Sequence, residues 1–117
     1  MHPFDIEVQR QANGTIARLR GSAENAHARD IHDALAELLS DRASPVVIDL
    51  RELSFIASAT LAELISFRQQ LTVYGGQLRL AGANDQVRSV FRQTHLSDLF
   101  PMYPSAEDAL KPDTQGT

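Results

Sequence analysis

The chain has 117 residues, of which 43% are hydrophobic and 22% are charged, an ordinary composition for one globular domain. Its 11 Lys and Arg residues against 15 Asp and Glu give a net charge of -4, which does not favour binding to nucleic-acid phosphates. The absence of cysteine excludes disulfides, thiolate nucleophiles and cysteine-ligated metal sites. We expect a cytoplasmic protein, since the first residues lack a signal-peptide pattern and no apolar run approaches the about 18 residues of a membrane span.

The first third of the chain predicts a β-hairpin followed by a helix. The hairpin is expected over residues 5–19, with Asn13 and Gly14 supplying the positive-φ positions of a type I′ turn. Gly21 is expected to break the second strand. Apolar side chains at helical spacing then predict a helix within residues 22–41.

Residues 45–50, PVVIDL, form a consecutively apolar and β-branched segment, which is typical of a strand buried on both faces at the centre of a sheet. The predicted elements after it are a loop at 54–59, a helix ending near Tyr74, a strand at 77–81, a helix capped by Asn84, an extended stretch at 101–104 and a short helix at 105–110.

The resulting order is ββαβαβα followed by a short strand and helix. It predicts a single-domain α/β sandwich with a mixed, mostly parallel sheet, to which the N-terminal hairpin adds an edge strand. We expect the domain to span residues 1–110 and residues 111–117 to form a flexible tail.

Loops that leave the carboxyl ends of parallel strands lie side by side, and ligands or partners bind at that edge. The loop at 54–60 combines bulky apolar residues with small hydroxylated ones at the predicted start of a helix. A helix N-terminus tolerates a phosphate, whose about 1.5 to 2 negative charges at pH 7 would oppose docking of a partner. The sequence thus allows a phosphorylation-controlled surface, but the residues alone favour plain helix capping, since Thr60 and Glu63 match a capping box.

The segment VVIDLRELSFIASATL at 46–61 resembles the signature of the STAS domain of bacterial anti-sigma factor antagonists. The segments GGQLRLAG at 75–82 and VRSVFRQTHLSDLFPMYPSAEDAL at 87–110 continue the resemblance. It implies a partner that is both an anti-sigma factor and a serine kinase of the histidine-kinase-like ATPase fold. In such a system the unphosphorylated antagonist binds the anti-sigma factor and releases the sigma factor, and phosphorylation of a loop serine stops that binding.

Carried onto this chain, the resemblance implies Ser58 as the phosphorylated residue and Thr60 as an alternative acceptor. The implied partner-binding residues are Gly21, Ser22, Glu24, Phe55, Ile56, Ala57, Ser58, Ala59, Thr60, Leu61 and Asn84.

The chain departs from the family pattern at two positions, with Ala57 where the family usually has Asp and Thr60 where it usually has Gly. Three alternatives stay open. The first is an antagonist that is permanently competent to bind. The second is a STAS subunit of an ABC-type membrane transport complex, and the third is a scaffold of a stress-signalling assembly that uses the same loop for constitutive docking.

Other residue patterns predict no catalytic chemistry. His27 and His32 stand at i and i+5 on the predicted helix, which is not a metal-ligand spacing, and no Walker A or G-x-G-x-x-G pattern is present. Asp49 is expected to accept hydrogen bonds from nearby loop amides. We therefore expect no catalytic residue, cofactor, metal, nucleic-acid partner or direct membrane insertion.

Overall fold

A five-stranded sheet in the order β1-β2-β3-β4-β5 organises the chain in the computed structural model, which describes residues 4–111. The elements are β1 Asp5–Gln11, β2 Gly14–Ala23, a 3-10 turn at Asn25–His27, α1 Ala28–Ser40, β3 Val46–Ile56, α2 Ser58–Val73, β4 Leu78–Ala81, α3 Asp85–Gln93, β5 Met102–Tyr103 and α4 Ala106–Leu110. Strand β1 pairs antiparallel with β2, and the other neighbouring strands pair in parallel. The predicted fold class is confirmed, while residues 112–117 of the predicted tail lie outside the described residues.

Strand β3 lies at the centre of the sheet, and its first part, residues 46–50, is covered on both faces. Val46, Ile48 and Leu50 join the main core, which is formed with α1, α2 and α3. Val47 points to the other face, where it packs with Ile16 and with side chains of α4. The consecutive apolar residues therefore pack into the two hydrophobic clusters on opposite faces of the sheet, as the sequence predicts.

The hairpin turn differs from the prediction. Gln11 pairs with Gly14, so the turn consists of Ala12 and Asn13. Arg42 and His95 are the only non-glycine residues of 4–111 with positive φ, so the type I′ assignment of Asn13 and Gly14 is wrong. Gly14 is needed for packing instead, because a Cβ there would lie 2.6 Å from Leu110 Cδ2 and 2.9 Å from the carbonyl oxygen of Pro45.

Gly21 does not break β2, which is a second difference from the prediction. The strand continues to Ala23 through two shifts of register against β3, with Gly21 at φ 90°. Pairing of Ser22 with Phe55 and of Ala23 with Ile56 extends both strands beyond their expected ends. As a result, residues 22–27 are not α-helical, and residues 54–56 are strand and not loop.

The helices follow their predicted faces. In α2 the buried residues include Leu61, Leu64, Phe67 and Leu71, which recur at helical spacing and form one apolar stripe. Helix α3 is capped as expected, with the Asn84 side chain accepting a hydrogen bond from the Val87 amide at 2.8 Å. Within residues 4–111, no helix combines the length and the apolar character that a membrane crossing requires.

Gly14→Ala tests the close packing at the start of β2. Because the added Cβ collides with Leu110 and Pro45, we expect the free energy of unfolding in urea to fall by about 2–3 kcal/mol. Gly75→Ala is the matched control: Gly75 has φ 79°, yet a Cβ there meets no neighbour within 4 Å. Its expected loss is about 1 kcal/mol. Equal losses in the two variants would show that backbone conformation alone selects glycine at position 14.

Candidate functional site

The carboxyl ends of β2 and β3 lie at one edge of the sheet, where the segment at 21–24 meets the start of α2. The Ala57 amide donates to the carbonyl oxygen of Ala23 at 2.8 Å, and the Ser54 hydroxyl donates to that of Gly21 at 3.0 Å. The segment that follows β4 joins them, because the Asn84 side-chain amide donates to the Leu53 carbonyl oxygen at 3.1 Å. Segments far apart in sequence thus form one continuous edge.

Ser58 is the first residue of α2 and its side chain is exposed. Ala57 precedes it as the N-cap residue, in an extended conformation and without a side chain able to cap the helix. The first turn of this 16-residue helix contains no acidic residue. The Ser58 hydroxyl therefore lies at the positive end of the helix dipole, a position that accommodates added negative charge.

Thr60 is fully buried, with 0% of its surface exposed, and its hydroxyl donates to the Ala23 carbonyl oxygen at 3.3 Å. Because α2 already begins at Ser58, Thr60 is inside the helix and the predicted capping box with Glu63 is wrong. Because its hydroxyl is buried, Thr60 is far less accessible than Ser58 as the alternative phosphoacceptor.

The exposed apolar surface of this edge is smaller than the sequence indicates. Phe55 is 45% exposed, whereas Ile56, Ala57 and Leu61 are only 3%, 7% and 7% exposed. The reason is the extension of β3, whose alternation turns Phe55 outward and Ile56 into the core. Of the implied partner-binding residues in this loop, Ile56, Ala57 and Leu61 therefore contribute little exposed surface, whereas Phe55, Ser58 and the half-exposed Ala59 are accessible.

The segment at 21–24 supplies the polar part of the same edge. Gly21 and Ser22 are half-buried and Glu24 is exposed, and the Ser22 hydroxyl donates to Glu24 Oε2 at 3.2 Å. Asn84 is exposed on the opposite side of β3. Ser22, which pairs with Phe55 and donates to Glu24, therefore connects an exposed aromatic residue and a carboxylate at the end of the sheet.

Asn25 is the residue of this edge that sequence reasoning misses. Its side-chain oxygen Oδ1 accepts a hydrogen bond from the Ala59 amide at 3.3 Å, so it caps α2 from a neighbouring turn. The two residues are 34 positions apart, and no local pattern connects them. The only signal in the sequence is an asparagine close to the predicted edge, which is too common to identify the contact.

Asp49 has a structural role, but its hydrogen-bond donors lie in β2 and β3 and not in a loop as predicted. Its carboxylate accepts hydrogen bonds from the Arg51 amide at 3.0 Å and from Arg18 Nε at 3.3 Å. It lines an open polar cleft of about 360 Å³ on the α4 face, together with Glu52 and Glu107. Within residues 4–111 no three His, Asp or Glu side chains are grouped as metal ligands would be.

Comparison with known proteins identifies the family. The family model of the STAS domain matches residues 5–109. A Bordetella bronchiseptica protein named as a putative anti-sigma factor antagonist, BtrV, is 33% identical over 94 residues, which cover 80% of this chain and 81% of that protein. This chain belongs to the STAS domain family.

Solved structures share the fold. An anti-sigma factor antagonist from Mycobacterium paratuberculosis superposes with a TM-score of 0.84 at 23% identity, covering 92% of each chain. The phosphorylated form of the Bacillus cell fate determinant SpoIIAA superposes with a TM-score of 0.72 at 19% identity, covering 92% of this chain and 96% of that one. A sulfate transporter family protein from Wolinella succinogenes also reaches 0.72, at 15% identity over 87% and 85% of the two chains. At these identities the likeness concerns the fold alone.

Placing a carboxylate at position 58 or at position 60 distinguishes the exposed hydroxyl from the buried one. Ser58→Asp should leave the free energy of unfolding within about 0.5 kcal/mol, because the charge stays in water at a helix N-terminus. Thr60→Asp should lower it by about 3 kcal/mol or more, since the charge enters the core. Urea unfolding of both variants measures the difference, and a well-folded Thr60→Asp chain would contradict the burial of Thr60.

Proposed function

We propose that this protein is an anti-sigma factor antagonist that acts by partner switching. Its unphosphorylated form binds an anti-sigma factor at the edge formed by Phe55, Ser58 and the 21–24 segment, and the sigma factor is thereby released. The observation that carries the proposal is the exposed Ser58 hydroxyl at the first turn of α2, three residues after the exposed Phe55. The relationship to BtrV, which is named as a protein of this class, supports it.

Phosphorylation of Ser58 is the proposed off-signal. The phosphate adds about 1.5 to 2 negative charges at pH 7 to a surface that contacts the partner. The dipole of α2 accommodates this charge in the free protein, so the fold persists. Docking then fails because the dianion has to lose its water beside an apolar contact, which is costly without a matching cation.

The two departures from the family pattern are compatible with this switch. Thr60 directs its hydroxyl to the Ala23 carbonyl oxygen within the core, so its side chain does not obstruct an approaching backbone. Ala57 lacks the carboxylate that the family usually has there, and Asn25 supplies a cap acceptor to the first turn of α2 in its place. The acceptor serine thus keeps an ordered backbone.

The proposed partner is an anti-sigma factor that is also a serine kinase of the histidine-kinase-like ATPase fold. The kinase supplies the catalytic groups and ATP, and this chain supplies the hydroxyl and the docking surface. We propose no enzymatic activity for the chain itself.

Ser58→Asp tests the switch. We expect its affinity for the anti-sigma factor to fall by at least about a hundredfold, because a charge is desolvated in the complex. Ser58→Asn is the matched control, since it has the same size without the charge and should retain most of the binding. All three chains serve as baits for a lysate of the source organism, and captured proteins are identified by mass spectrometry and measured by titration.

The identity of the captured protein decides between the alternatives. A serine kinase retained by the wild type and by Ser58→Asn but lost with Ser58→Asp supports partner switching. The same kinase bound equally by all three baits would indicate a permanently competent antagonist. A transporter ATPase bound by all three, or a multi-subunit stress-signalling assembly, would contradict the proposed function.

Phe55→Ala tests the apolar anchor. Phe55 is already 45% exposed, so we expect the free energy of unfolding to change by less than about 1 kcal/mol. The affinity for the anti-sigma factor should fall at least about tenfold, as for an aromatic residue at the centre of an interface. Val73→Ala is the control, because Val73 is 85% exposed at the opposite end of α2 and should leave the affinity unchanged. Equal affinities of the Phe55→Ala chain and the wild type would remove Phe55 from the interface.

A further inference from the structure

An open cleft of about 360 Å³ lies beside the amino end of β4. Because β3 and β4 are parallel, this is the opposite end of the sheet from Ser58, which follows the carboxyl end of β3. Two arginines line the cleft, Arg68 of α2 and Arg79 of β4, and neither forms an ion pair with a carboxylate of residues 4–111. Two like charges that share one cleft repel each other, so an anion between them is stabilised.

Both arginine side chains are held by hydrogen bonds to the backbone. Arg68 Nε donates to the Leu99 carbonyl oxygen at 2.8 Å, and among the described residues its Nη groups have no protein acceptor. Arg79 Nη1 donates to the Ala109 carbonyl oxygen at 2.6 Å, and its guanidinium carbon lies 5.9 Å from the centroid of the Tyr103 ring. The two cations are therefore positioned before a ligand arrives, which reduces the entropy lost on binding.

A backbone amide of β4 adds an independent donor to the same cleft. Alternate residues of a strand direct their amides to opposite neighbours, and the Leu80 amide donates to the Pro101 carbonyl oxygen on the β5 side. Leu78 has the same orientation as Leu80, but β5 begins only at Met102, opposite Leu80.

The Leu78 amide consequently has no partner strand to donate to, and it forms no hydrogen bond to a protein acceptor in the described part of the chain. Leu78 is nevertheless only 7% exposed, and it lines the cleft together with the two arginines. An amide without an acceptor is rare in so buried a residue, which points to an acceptor atom bound in the cleft.

We propose that this cleft binds a small oxyanion, a carboxylate or a phosphate. One oxygen of the anion accepts a hydrogen bond from the Leu78 amide, and the others accept charge-assisted hydrogen bonds from Arg68 and Arg79. Asp98 is exposed at the rim of the cleft and opposes the bound charge, which limits the affinity. The site is separate from the edge that carries Ser58, so this inference does not depend on the proposed function.

An NMR titration of the full chain tests the site. The ¹⁵N-labelled protein receives sodium phosphate in one series and sodium succinate in a second, with the ionic strength held constant by sodium chloride. We expect the signals of the Leu78 amide and of Arg68 Nε–H to shift and saturate in at least one series, with a Kd on the order of 1 mM. Saturation with phosphate alone or with succinate alone identifies the anion, and saturation with both assigns the oxyanion chemistry that they share.

Two variants change the charge of the cleft in opposite directions. Arg68→Gln should weaken binding about tenfold, because a charge-assisted donor is lost. Asp98→Asn should strengthen binding about threefold, because it removes the only carboxylate of residues 4–111 that lines the cleft. Arg29→Gln is the matched control, since it makes the same change of charge on α1, where the side chain is 85% exposed beside Asp33. Its Kd should equal that of the wild type.

Two results would overturn the inference. One is a set of shifts that stay linear with concentration in both series, which would mean that water alone satisfies the Leu78 amide. The other is an equal loss of affinity in Arg68→Gln and Arg29→Gln, because binding would then follow net charge and not the cleft. The gain expected for Asp98→Asn cannot come from a loss of folding, so it keeps the test valid if Arg68→Gln is unstable.

Discussion

The parallel pairing of β2 with β3 determines the rest of the structure. Residues 46–50 of β3 are covered on both faces, so their backbone must find hydrogen bonds within the sheet. The pairing with β2 continues past this segment as far as Ala23 and Ile56. At that point a single carbonyl oxygen, that of Ala23, accepts from the Ala57 amide and from the Thr60 hydroxyl. The start of α2, and with it the orientation of Ser58, is therefore fixed by the end of a β-strand.

This arrangement separates stability from recognition. Ile56, Thr60 and Leu61 are buried and hold α2 against the sheet, while Phe55 and Ser58 lie on the outside of the same segment. A charge added at Ser58 changes the surface without entering the core. A binding switch needs this separation, because marginal stability leaves little tolerance for a modification that also unfolds the domain.

Local patterns predict those parts of the fold that depend on burial and on short-range contacts. The apolar run of β3, the stripe of α2 and the Asn84 cap are all visible in the sequence. The features that are not predicted depend on residues distant in the sequence. Gly14 packs against Pro45 and Leu110. Strand β2 continues past Gly21 because Ser22 and Ala23 pair with β3. The hydrogen bond from the Ala59 amide to Asn25 is likewise not predictable from the sequence, since it forms only once β2 and β3 are paired.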